Sequence, residues 1–279
     1  MSTPRLLPVL ATLALGASCV GQAHAMDSWY FNPTGSGADG AIQMTQLNTS
    51  GYGFIENTVR WNPFVSFLPY LSFEEHGAYQ VSGLGDQFEL TMTYEINGRL
   101  GFDGSAVDSG LISLYIDDTP DFGSTTGMFG ANDGIQLAQF EVVSGNVSAF
   151  PTAATVSASL VAGSLLPGYF FDAQGTDLAT VNGLMTQVSV LSQVIDPAGT
   201  NVVGEIACGY AGYTGNGCNG RAYTPAFLNL AHATVQDVGV VTLSYNEGLP
   251  LVTAVPEPAS VTMMLAGLLG MGAWRRLRS

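Results

Sequence analysis

Few residues in this chain have the type and spacing to do chemistry. Cys208 and Cys218 flank a glycine-rich stretch that closes easily, so an oxidising compartment would join them in one local disulfide. A tetrahedral metal site is the rival use of two thiolates, with His232 as the nearest recruit. Nucleophilic hydrolysis lacks its parts: no G-x-S-x-G elbow occurs, and only His76 and His232 are placed to serve as a base. The triplet Glu74-Glu75-His76 reads as a solvated loop rather than a dyad. No H-E-x-x-H helix, P-loop or dinucleotide fingerprint is present. Glycoside hydrolysis needs only two carboxylates, and 22 acidic residues offer too many pairs to choose among. The densest acidic run, Asp117-Asp118-Thr119-Pro120-Asp121, presents a weak calcium candidate in Asp117, Asp118 and Asp121. It lacks EF-hand spacing, and the competing reading is a proline turn capped by Asp. No other cofactor is expected.

Aromatic residues gather in two places, Trp29, Tyr30, Trp61, Phe64 and Tyr70 early, and Tyr210, Tyr213 and Tyr223 around the cysteine loop. Rings of this kind stack on sugar faces or fill a core. The loop tyrosines are the better sugar candidates, because so polar a loop should not bury them all.

The elements that must position these groups follow a period of two. From Gln87 to Ile96 apolar residues fall on every even position and polar ones on every odd position, the pattern of a half-buried strand. Asn97-Gly98 then predicts a hairpin returning through Arg99 to Phe102. Further strands are expected over Ala41–Leu47, Leu111–Ile116, Ile135–Val142, Ala154–Val161, Thr186–Ile195, Phe227–Val235 and Val238–Tyr245. Turn residues divide them, including Ser144-Gly145-Asn146 and Asp196-Pro197. Sustained helical periodicity is missing. The fold class implied is all-β, an antiparallel sandwich or jelly-roll in one ectodomain spanning 26–250.

Charge is lopsided. The chain has no lysine, and only Arg60, Arg99 and Arg221 oppose the 22 acids between Met26 and Pro258, a net of −19. Such a field repels nucleic acid and anionic lipid, and attracts divalent cations or polymers bridged by them.

The two ends describe topology. Arg5, an apolar run from Leu6 to Val20 and Ala23-His24-Ala25 form a signal peptide over 1–25, cleaved after Ala25. Cys19 raises a lipoprotein alternative, weakened by the position of Leu15. At the far end, Pro256-Glu257-Pro258 closes a linker over 251–258, and prolines flanking one residue hold that backbone extended. Residues 259–274 carry no charge and are expected to form a short transmembrane helix. Arg275, Arg276 and Arg278 follow in a cytoplasmic tail over 275–279, which places the ectodomain outside the inner membrane.

This tail resembles the PEP-CTERM sorting signal of Gram-negative bacteria. The resemblance implies recognition of Pro256, Glu257 and Pro258 by exosortase, a membrane-embedded transpeptidase that removes the helix. The processed protein then passes to the cell surface or the exopolysaccharide matrix. Three ectodomain segments, Phe31-Asn32-Pro33-Thr34-Gly35, Gly110 to Asp117 and Pro167 to Asp172, are similar to the flocculation-associated PEP-CTERM proteins of floc-forming bacteria. That similarity implies a noncatalytic secreted protein that works with exopolysaccharide to hold cells together. A carbohydrate-binding module and a polysaccharide-modifying enzyme remain the alternatives. The similarity supplies no active-site residues.

Overall fold

The computed structural model describes residues 24–26, 28–61, 69–85, 87–101, 104–125, 127–149, 152–195, 202–215, 217–218 and 231–245. Residues 1–23 of the expected signal peptide, the Pro-Glu-Pro motif, the expected membrane helix and the arginine tail all lie outside them. No helix among the described residues is long and apolar enough to cross a membrane.

Twelve strands follow in chain order: β1 (His24–Ala25), β2 (Trp29–Phe31), β3 (Ile42–Met44), β4 (Leu47–Trp61), β5 (Pro69–Ser82), β6 (Glu89–Gly101), β7 (Gly104–Asp117), β8 (Ile135–Ala149), β9 (Thr152–Leu160), β10 (Phe170–Phe171), β11 (Leu184–Val194) and β12 (His232–Tyr245). Eight of them, β4 to β9 with β11 and β12, pair antiparallel with their neighbours in sequence. β12 then pairs with β4, Val241 facing Leu47, and closes the sheet into a barrel. The all-β, antiparallel expectation holds, but the sandwich or jelly-roll is replaced by one closed up-and-down barrel. The reason is physical: closing the ring removes both sheet edges, and one lumen then serves as the core.

Strand alternation sorts the side chains. On β11, Leu184, Thr186 and Val188 point inward and are buried, while Gln187, Ser189 and Gln193 are exposed. Leu47, Leu90, Met92, Ile112, Leu114, Phe140, Val156, Val241 and Leu243 build the core from the other strands. β2, β3 and β10 form a separate three-stranded sheet. Its Phe170 packs with Leu47, Leu165, Leu184 and Leu243, plugging the end of the barrel where β4 begins and β12 ends. Asn32 organises the plug: its Nδ2 donates to Gly37 O at 2.6 Å, and its backbone N donates to Tyr169 O at 2.8 Å.

Outside the barrel, a π-helical segment (Val202–Tyr210) covers β4 and β5. Val202, Val203, Ile206 and Ala207 bury Phe54 and Ala78 together with Phe129 and Ala131 of the 118–134 loop. Glu89 anchors that loop, accepting from Asp121 N at 2.9 Å and Phe122 N at 3.1 Å, and Thr91 Oγ1 donates to Ala131 O at 2.7 Å. Glu89 to Tyr94 are therefore buried on both faces, not half-buried as the alternation alone implies.

Several local expectations shift. Asn97-Gly98 makes no hairpin; β6 runs on through a bulge there, and the reversal falls between Gly101 and its partner Gly104. A Cβ on Gly98 would lie 2.5 Å from the Phe73 ring, so this glycine serves packing rather than a turn. Ser144-Gly145-Asn146 lies within β8, not at a break. The residues expected as two strands, Phe227–Val235 and Val238–Tyr245, contribute a single β12 beginning at His232, and 227–230 lie outside the described residues.

Candidate functional site

The triplet Glu74-Glu75-His76 is not a loop. It lies inside β5, where alternation sends Glu75 into the lumen and its two neighbours to the outer wall. Phe73, Glu75, Gly77, Tyr79 and Val81 share the inward parity, so a carboxylic acid stands in an apolar row.

Glu75 meets three polar groups from other positions on the wall. The Tyr94 hydroxyl lies 2.8 Å from Glu75 Oε1 and 3.1 Å from Asp237 Oδ2, and the Tyr79 hydroxyl donates to Asp237 Oδ2 at 2.8 Å. Asp237, on β12, is fully buried. The tyrosine rings stack at 4.8 Å between centroids. Two glycines make room for them. A Cβ on Gly77 would sit 2.3 Å from Tyr94 Cζ, and one on Gly53 would sit 2.5 Å from its hydroxyl. Gly53 and Gly77 face each other across β4 and β5.

Burial, and after it the neighbouring Asp237 charge, push the Glu75 carboxyl up to about 8 against the opposing Tyr94 hydrogen bond. Burial likewise raises Asp237, opposed by hydrogen bonds from Ser192, Tyr79 and Tyr94. Both tyrosines are raised well above 10 by burial and the adjacent acids, and stay neutral. The Tyr94 hydroxyl has one proton for two acceptors. A neutral Glu75 resolves this, donating to Tyr94 while Tyr94 donates to Asp237.

Beside this cluster the lumen holds a cavity of about 120 Å³, lined by Ile55, Phe73, Met92, Val107, Val156 and Val188 among others. Its polar lining includes Asn57, Glu75 and Ser192. Asn57 Oδ1 is a buried acceptor without a hydrogen-bond partner among the described residues. A cavity of this size matches a body of about six heavy atoms, since a comparable apolar cavity of ~150 Å³ takes benzene. Sequence reasoning missed this site because its residues come from β4, β5, β6, β11 and β12. The one local signal was an acid at an inward position of an alternating row.

The other expected residues have structural placements. Cys208 and Cys218 are joined in a disulfide with Cα atoms 5.7 Å apart, so neither thiolate is free for a metal with His232. Asp117 Oδ1 accepts from Thr119 N at 2.8 Å and Asp118 Oδ1 from Thr119 Oγ1 at 3.1 Å. Asp121 Oδ2 accepts from Ser124 Oγ at 2.8 Å, so of the three acids Asp117 caps the turn through a backbone N–H and the other two bond hydroxyls. Tyr210 meets His76 edge-on and Tyr213 packs on Phe54, and both are half-buried. Trp29 is fully buried, whereas Trp61 is 64% exposed. Phe64 and Tyr223 lie outside the described residues.

By architecture the protein is a closed antiparallel barrel with a ligand-sized lumen and a buried acid–tyrosine cluster. By address it is a sorted one: residues 254–278 match the PEP-CTERM protein-sorting motif. That motif indicates processing by exosortase from a membrane-anchored precursor and delivery to the surface or outside the cell. No curated protein and no solved structure matches the chain.

Proposed function

We propose that this is a noncatalytic binding protein, exported through the PEP-CTERM route, whose barrel lumen holds a small molecule with an apolar body and a hydrogen-donating head. The observation that carries this reading is the acid–tyrosine cluster on the cavity wall. Burying two carboxyls costs several kcal/mol relative to an apolar wall, and a barrel with a merely structural core has no need of them. A neutral or cationic head, an alcohol or amine, meets acceptors there. A carboxylate head would set a further negative charge beside these acids and raise the cost of burying it.

The test is a matched series of hexylamine, hexanol and hexanoate followed by thermal shift and isothermal titration. Saturable 1:1 binding of amine and alcohol, with hexanoate excluded, is expected. Val156→Phe should abolish it by filling the cavity. Equal binding of all three, or binding unchanged in Val156→Phe, refutes the reading.

Two carboxyls close together also suit a glycosidase. Against catalysis, both acids are engaged by tyrosine hydroxyls, and the cavity is too small and apolar for a sugar chain. A second reading concerns the outer surface: association with exopolysaccharide and cell aggregation. It is favoured by the sorting motif and by Trp61 and Val59, exposed at 64% and 56% where β4 runs past its pairing with β12. Trp61→Ala should then lower retention of the exported protein on the cell's own polymer; unchanged retention removes this reading.

A further inference from the structure

Glu74, His76 and Glu95 stand together on the outer wall of the barrel. His76 on β5 is directly opposite Glu95 on β6, and Glu74 lies two residues along the same face. His76 Nε2 is 3.6 Å from Glu74 Oε1 and 3.8 Å from Glu95 Oε2. The three potential ligand atoms all lie within 4.8 Å of one another. The imidazole is 92% buried, since its side chain is only 8% exposed, and Tyr210 closes over it with ring centroids 4.9 Å apart. The carboxylates are about half exposed, at 52% and 47%. Both contacts of Nε2 are too long for hydrogen bonds. A buried nitrogen is thus aimed between two carboxylate oxygens and bonded to neither.

We propose that these three side chains form a binding site for a divalent transition-metal ion of the zinc type. Zinc bonds of about 2.0–2.2 Å in tetrahedral geometry set ligand atoms roughly 3.3–3.6 Å apart. The two nitrogen–oxygen separations, 3.6 and 3.8 Å, reach that range by closing a few tenths of an ångström at most, and the oxygen–oxygen separation, within 4.8 Å, closes by side-chain rotation of the half-exposed glutamates. The mixed nitrogen and oxygen set suits zinc, cobalt or manganese better than calcium, which takes six to eight oxygens. Three protein ligands leave the fourth position open to water or to a group from outside. Two paired strands hold the ligand positions, and Tyr210 fixes the ring from above, so the scaffold is stiff. The site faces away from the lumen and does not depend on the ligand proposed there.

The experiment titrates the chelator-stripped full-length protein with Zn²⁺, and with Co²⁺ as a spectroscopic probe. One equivalent of zinc, a rise in melting temperature and d–d bands of tetrahedral intensity for cobalt are expected. Glu74→Gln and Glu95→Gln should each weaken zinc roughly tenfold or more while leaving the metal-free melting temperature unchanged. His76→Gln should remove stoichiometric binding; if that variant does not fold, the two glutamate variants decide. Three results overturn the proposal: no stoichiometric zinc, cobalt without tetrahedral bands, or zinc held equally well by the doubly substituted Glu74→Gln/Glu95→Gln chain. The last would mean diffuse binding to an acidic surface.

Discussion

Glu75→Gln should make the barrel more stable at alkaline pH and flatten its response to pH. Unfolded, Glu75 loses its proton near its ordinary 4.5; folded, it keeps the proton to about 8. Between those values the native state holds the extra proton, so native stability falls as pH rises, and the loss is complete above 8. The interval from 4.5 to 8, at about 1.4 kcal/mol per pH unit, amounts to about 5 kcal/mol if Asp237 keeps its charge state throughout. Glutamine matches the neutral acid in shape and can still donate to Tyr94, so little should change at pH 5. Urea unfolding of both chains at pH 5, 6.5, 8 and 9 reads the difference directly. The gap between variant and parent should open from near zero to several kcal/mol. Parallel curves would refute the reasoning, because Glu75 would then titrate alike folded and unfolded.

Gly77→Ala places a Cβ 2.3 Å from Tyr94 Cζ and should cost about 1–3 kcal/mol, with loss of hexylamine binding in the same preparation. Tyr94→Phe removes the hydroxyl that links Glu75 and Asp237 and should destabilise by about 1–3 kcal/mol in urea melts at pH 7. Replacing Cys208 and Cys218 together by serine should cost about 2–3 kcal/mol, seen as a lower melting temperature that reductant no longer changes. Glu257→Ala within the matched motif should hold the precursor in the membrane fraction at its unprocessed mass, checked by immunoblot.

What was legible in the sequence was local. Alternation in Gln87–Ile96 and the strands near Leu111, Ile135 and Thr186 needed only neighbours in the chain. The Pro-Glu-Pro tail was readable because a processing enzyme reads it as a linear peptide. Barrel and sandwich share the same even spacing of strands, and only the pairing of β12 with β4 separates them. β4 and β5 went unrecognised because their inward rows carry Gly51, Gly53, Gly77 and Glu75 where apolar residues are expected. Those interruptions are the floor of the lumen cluster, so the feature that hid the strands also marks the site. Phe31 and Phe170, far apart in the chain, pair in the plug, a contact that no local pattern announces.

Ring closure between residues 47 and 241 also constrains how the chain can be exported. The first wall strand has no permanent partner on one side until the last has crossed the membrane, and that last strand ends at Tyr245, shortly before the sorting motif. Contacts so distant in sequence form slowly. During translocation the earlier strands therefore present an unprotected edge, open to chaperones or proteases. Any product truncated ahead of His232 keeps that edge for good and should be cleared rather than displayed.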